Sequence, residues 1–146
     1  MTLRILDIIR GTTVDGPGFR TAIYMAGCRH QCQGCHNPES WSFDAGKEMS
    51  LDEIMAIVAE EDFDVTLSGG DPLYQAIIRR ALKLGHKTWI YTGFTMEQIQ
   101  ADDTLREAIK GAEAIVDGPF IKELHDPDLL FRGSSNQRII MLNENF

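Results

Sequence analysis

The residues best suited to chemistry are three cysteines, Cys28, Cys32 and Cys35, which are all the cysteines of the chain. An odd number of thiols confined to one short stretch cannot be a disulfide framework; it points to a local metal chelate in a reducing compartment. Three thiolates on a four-iron cubane leave one iron without a protein ligand, and a small chelating molecule can bind there. A zinc site of the three-cysteine, one-histidine kind competes with this reading, because His30 and His36 lie in or beside the loop. The spacing alone leaves both open. Buried inert cysteines are the weakest explanation, since they rarely fall in so tight a set.

A second chemically pointed segment is Gly69-Gly70-Asp71-Pro72, directly after the apolar run Asp64-Val65-Thr66-Leu67. Glycines let backbone approach a ligand closely, and the Asp71 carboxylate suits an ammonium group. A zinc ribbon has no use for such a segment. Two further glycine-bearing segments, Thr92-Gly93 and Asp117-Gly118, also follow apolar β-rich runs. In α/β folds ligands bind beyond the carboxyl ends of the strands, so all four segments are expected to face one another. The plainer alternative is that each glycine only forms a turn.

The elements that must position these segments are legible as alternating patterns. Strands are expected at Leu3 to Ile9, Thr21 to Met25, Asp64 to Leu67, Thr88 to Tyr91, Ala114 to Val116 and Arg138 to Leu142. Ser50 with Glu53 forms a capping-box pattern for a helix ending near Glu61, with Ile54, Ile57 and Val58 as its apolar stripe. A helix from Gln75 to Leu84 carries Ile77, Ile78, Ala81 and Leu82 on one face and stops at Gly85. Thr95 with Gln98 repeats the capping pattern, and Leu105 to Ile109 continues as a short helix before Gly111. Strands alternating with helices predict an α/β fold with a mainly parallel sheet.

Bulk composition sets the outer limits. The 146 residues, 43% hydrophobic and 25% charged, fit one domain over 1–146 with a real apolar core and no repeat or linker. A net charge of −8 without clustered Lys or Arg argues against nucleic acid. No stretch approaches the roughly 18 apolar residues of a membrane span, and the amino terminus meets charges too early for a signal peptide, so no membrane role and a cytoplasmic location are expected.

The Cys-x3-Cys-x2-Cys loop followed by Gly-Gly-Asp-Pro resembles the radical S-adenosylmethionine superfamily. Asp15-Gly16-Pro17-Gly18-Phe19-Arg20, Cys35-His36-Asn37-Pro38-Glu39 and Phe131-Arg132-Gly133-Ser134-Ser135-Asn136-Gln137-Arg138 narrow it. Together they look like the activating proteins of anaerobic ribonucleoside-triphosphate reductase. The first two motifs are shared with pyruvate formate-lyase activases; the third selects the reductase activators.

The resemblance implies a partial, incomplete β/α barrel of radical S-adenosylmethionine type. It implies a [4Fe-4S] cluster on Cys28, Cys32 and Cys35, and S-adenosyl-L-methionine chelating the fourth iron. Gly34, Cys35, His36, Gly69, Gly70, Asp71 and Pro72 would contact that cofactor. A flavodoxin-type donor would reduce the cluster, and a 5'-deoxyadenosyl radical would take hydrogen from a glycine of the reductase. No acid or base residue is expected to act, because the cofactor carries the hard chemistry. Gly34 stands where many superfamily members have an aromatic residue, and the stretch from Pro72 to Thr88 is shorter than the resemblance leads one to expect.

The same resemblance leaves Asp15 to Arg20 to cradle the substrate or dock the partner, unless they merely turn the chain. Arg132, Ser134, Ser135, Asn136 and Gln137 would touch the partner or a nucleoside, unless they form a capped turn. Three other readings stay open: an activase of another glycyl-radical enzyme of the pyruvate formate-lyase type, a small-molecule radical enzyme of the 7-carboxy-7-deazaguanine synthase type, and a zinc-binding interaction module.

Overall fold

The computed structural model describes residues 2–26, 46–69 and 73–142. Its strands are β1 (Thr2–Thr12), β2 (Arg20–Met25), β3 (Lys47–Ser50), β4 (Asp64–Ser68), β5 (Thr88–Tyr91), β6 (Ala114–Asp117) and β7 (Arg138–Met141). Its helices are α1 (Leu51–Glu61), α2 (Tyr74–Lys83), α3 (Met96–Gln100) and α4 (Asp103–Ile109). All the strands join one sheet in the order β3-β1-β2-β4-β5-β6-β7. The central strands β2, β4, β5 and β6 run parallel, and β1, β3 and β7 add antiparallel pairings outside them. The order is linear, so the sheet stays open, with β3 and β7 at its edges.

Successive side chains of a strand point to opposite faces, and the register sorts the two faces here. One row runs Ile23, Leu67, Ile90, Ile115 and Ile140 across the sheet. It packs beneath the helices against Ile54, Val58, Ile77, Ile78, Ala81, Ile99 and Ile109, which form the main core. Trp89, Ala114 and Val116 form a smaller cluster on the opposite face, joined by Tyr91, Phe131 and Ile139.

The caps act largely as anticipated. Ser50 accepts from the Glu53 N–H at 3.1 Å and donates to the Glu53 carboxylate at 3.2 Å. Thr95 and Gln98 complete a reciprocal capping box on α3. Gly85, at φ +84°, ends α2 in a conformation that disfavours a side chain.

Three details depart from expectation. Met55 rather than Ile57 completes the buried stripe of α1, because the helix is rolled to present Ile54, Met55 and Val58 to the sheet. Tyr74 rather than Leu82 completes that of α2; Leu82 is 49% exposed at the rim. Strand β3 was unforeseen, since Lys47-Glu48-Met49-Ser50 has little β character and is a strand only because β1 offers it an edge.

Candidate functional site

Because β2, β4, β5 and β6 are parallel neighbours, their carboxyl ends share one edge of the sheet. Ala26, Gly69, Thr92 and Gly118 are therefore brought to the same side, as expected for residues that follow strands. The Gly118 N–H donates to the Phe94 carbonyl at 2.8 Å and the Thr92 N–H to the Val116 carbonyl at 3.1 Å, tying the turns after β5 and β6 together. Gly69 lies against the end of β2: at φ +116°, a Cβ there would stand 2.6 Å from the Met25 carbonyl oxygen. Only glycine allows the two strand ends to approach so closely.

The face opposite the helices is lined by a polar and aromatic set that the strand pattern contained but the motif search did not reveal. Tyr24, Ser68, Tyr91 and Val116 form the row nearest the carboxyl ends, and Ala22, Thr66, Trp89 and Ala114 form the row behind it. The available signal was the alternation itself: in Asp64 to Ser68 and Trp89 to Tyr91 every second residue is polar or aromatic, and Arg20 and Tyr24 stand on either side of Ala22 on the same face of β2.

The segment Asp15-Gly16-Pro17-Gly18-Phe19-Arg20 folds across this face and is anchored from beneath. Arg20 is 1% exposed, and its guanidinium donates to Thr66 Oγ1 at 2.8 Å, the Val65 carbonyl at 2.9 Å and the Pro17 carbonyl at 3.1 Å. Its Cζ lies 5.6 Å from the Trp89 ring centroid, a cation-π contact. Burial lowers its affinity for the proton, opposed by the charges of Asp64 and Glu113. Thr66 in turn donates to the Asp15 carbonyl at 2.6 Å. Gly16 is required by this anchor, since a Cβ would stand 2.7 Å from Arg20 Cδ. Arg20 is thus a structural tie rather than a group free to meet a ligand.

Asp15 holds the other end of the loop, where its carboxylate accepts from the Tyr24 hydroxyl. Burial, reinforced by that bond and by the Asp15 charge, pushes the Tyr24 phenol well above its ordinary range. Tyr91 is shifted the same way, first by burial and then by the Asp15 charge, with Arg20 opposing.

The segment Phe131 to Arg138 is a capped turn in most of its residues. Ser134, fully buried, accepts from the Ile121 N–H at 3.2 Å. Asn136 donates to the Pro119 carbonyl at 2.8 Å, and Gln137 binds the Gly133 N–H at 2.8 Å and the Gly118 carbonyl at 3.1 Å. Phe131 packs edge-on against Trp89, with centroids 5.7 Å apart. Arg138 bridges Asp117 and Glu97, and this holds the Glu97 carboxyl down to about 2. The Asp117 side chain, 1% exposed, also accepts from the Met96 N–H at 2.8 Å, so it caps α3 instead of facing the strand ends.

The anticipated ligands Cys28, Cys32 and Cys35, the anticipated contacts Gly34, His36, Gly70, Asp71 and Pro72, and His30 lie outside the described residues. Among the described residues, no three His, Cys, Asp or Glu side chains gather to hold a metal ion. No described helix is long and apolar enough to cross a membrane.

The family of 4Fe-4S single cluster domains matches residues 14–140. Curated proteins named anaerobic ribonucleoside-triphosphate reductase-activating protein are similar over most of their length. The one from Vibrio cholerae is 36% identical over 141 residues, covering 86% of this chain and 90% of the relative. The one from Escherichia coli K12 is 32% identical over 139 residues, covering 85% and 89%. That of bacteriophage T4 is 30% identical over 139 residues, covering 86% of each. With a 4Fe-4S cluster domain across nearly all its residues and such relatives matched almost end to end, the chain belongs to the family of anaerobic ribonucleoside-triphosphate reductase-activating proteins.

Proposed function

We infer that the protein activates an anaerobic ribonucleoside-triphosphate reductase by generating a glycyl radical on it, using a [4Fe-4S] cluster and S-adenosyl-L-methionine. It is an oxidoreductase that acts on another protein; a pyruvate formate-lyase activase or a small-molecule enzyme is not favoured by its relatives. The observation that carries the site is the adjacency of β2 and β4. These parallel neighbours end at Met25 and Ser68, so the cysteine-bearing segment and Gly69 to Pro72 leave the sheet from adjoining strand ends.

Within this reading Cys28, Cys32 and Cys35 hold the cluster, and Gly34, Cys35, His36 and Gly69 to Pro72 receive the cofactor, with Asp71 taking its amino group. What supports the fit is the donor chemistry of three thiolates, the close approach enforced at Gly69, and, at the same edge, a buried Tyr91 hydroxyl that lacks a partner among the described residues. The open sheet is read as an incomplete β/α barrel whose inner face carries Tyr24, Ser68 and Tyr91. The chain acts as one domain over 1–146, in the cytoplasm, with electrons from a flavodoxin-type donor.

When bound, the cluster and cofactor supply the one-electron chemistry that ends in hydrogen abstraction from glycine. The protein's own residues position and exclude water. Arg20, Trp89 and Phe131 fill the half of the inner face toward the amino ends of the strands, leaving the carboxyl-end row as the floor. Asp15 and Thr66 hold the loop before β2 across that face.

Anaerobic reconstitution with iron and sulfide, followed by a cleavage assay for 5'-deoxyadenosine with and without the reductase, tests the reading. The expected outcome is a brown protein that yields a glycyl doublet in electron paramagnetic resonance only when the reductase is present. A colourless protein holding one zinc would overturn it.

A further inference from the structure

Tyr91 is the last residue of β5, and its side chain shares the face opposite the helices with Trp89 two residues earlier. Its hydroxyl is shut off from water and has no hydrogen-bond partner among the described residues. Buried hydroxyls are nearly always paired, because leaving one unpaired is destabilising. Four other such atoms have simpler settings. Thr21 and Thr88 flank Val65 in the apolar layer beneath the helices, where threonine substitutes for valine. Arg132 and Asn136 already bond through their remaining nitrogens, to the Gln137 and Pro119 carbonyls. Tyr91 is different in lying at the carboxyl end of a central strand.

Among the described residues none pairs with it. Tyr24, in the same row, spends its one hydroxyl proton on Asp15 and so has none to donate to Tyr91. Between them stands Ser68, which pairs with Tyr91 across the ladder and immediately precedes Gly69. Adjacent strands lie about 4.8 Å apart. The Tyr91 backbone is therefore one strand spacing from the start of the segment assigned to the cofactor's amino group.

We propose that the Tyr91 hydroxyl donates a hydrogen bond to an oxygen of bound S-adenosyl-L-methionine and so helps to seat the cofactor, an assignment that rests on the function inferred above. Burial and the nearby Asp15 charge keep the phenol protonated, so it can act only as a neutral hydroxyl and not as a phenolate. The cofactor is the occupant favoured over the partner's peptide because of the register with Ser68 and Gly69.

The test is Tyr91→Phe, which removes one oxygen and keeps the ring packed on its neighbours. Cluster-loaded wild type and variant are titrated with S-adenosyl-L-methionine, following the perturbation of the reduced cluster's paramagnetic signal, with affinity expressed per loaded cluster. About tenfold weaker binding is expected, with iron content unchanged and the melting temperature without cofactor unchanged or higher. Equal affinity, within about twofold, overturns the proposal. Equal cofactor affinity combined with weaker binding of the reductase also overturns it, and assigns the hydroxyl to the partner. Failure of the loaded wild type itself to bind the cofactor would instead sink the functional reading on which the proposal stands.

Discussion

Arg20 Nε donates to Thr66 Oγ1 at 2.8 Å, and the Thr66 hydroxyl in turn donates to the Asp15 carbonyl at 2.6 Å. One hydroxyl thus links a buried cation on β2 to the loop that crosses the sheet. The relationship explains why a threonine occupies the middle of β4, whose residues on the opposite face, Val65 and Leu67, are aliphatic.

Thr66→Val preserves shape and removes both bonds. It leaves Arg20 Nε without its acceptor in a site closed to water, so a loss of about 2–3 kcal/mol in unfolding free energy is expected. Thr66→Ser should retain most of it. Urea titration of the two variants measures the difference, and equal stability of Thr66→Val and wild type would remove the anchoring role.

Gly69→Ala should be the most damaging single-methyl change among the described residues at the carboxyl ends of the parallel strands. The residue sits at φ +116°, and the new Cβ would lie 2.6 Å from the Met25 carbonyl oxygen, which is backbone and cannot swing aside. Strain and overlap together predict about 2–4 kcal/mol of destabilisation, read from the denaturation midpoint.

The Glu97 tie gives a pH signature. Its folded carboxyl, held down to about 2 first by the bond from Arg138, lies below the unfolded value near 4.5. A depressed carboxyl stabilises the fold above the unfolded value, and that contribution is lost as pH falls from about 4.5 through about 2. Glu97 is exposed, so the effect is small. Wild type should melt slightly above Glu97→Gln at pH 6, and the gap should close toward pH 2.5; a gap constant with pH would exclude the linkage.

Cys28→Ser, Cys32→Ser and Cys35→Ser should each abolish cluster assembly and reductive cleavage of S-adenosyl-L-methionine. Iron analysis and 5'-deoxyadenosine yield report the two losses separately. Asp71→Ala should keep its iron and bind the cofactor more weakly; unchanged affinity would count against the ammonium contact.

Much of the molecule was readable without coordinates. The cysteine spacing, the Gly-Gly-Asp-Pro segment and the strand–helix alternation depend on local residue types, and local types dictate local chemistry and local conformation. The capping patterns at Ser50 and Thr95 fall in the same class, because the cap and the groups it satisfies are three residues apart.

Tertiary structure decided what each polar residue is for. The Arg20 tie spans 46 residues to Thr66, and Arg138 reaches back 41 residues to Glu97. No local pattern distinguishes such partners from groups awaiting a ligand. Asp117 follows the strand pattern of a site residue yet is taken up by α3 and β7, while Tyr91 reads as ordinary strand yet keeps a hydroxyl uncommitted among the described residues. Composition and spacing select the chemistry available to a chain; only the folded register determines which donors and acceptors are already used, because hydrogen-bond satisfaction depends on distance in space and not along the sequence.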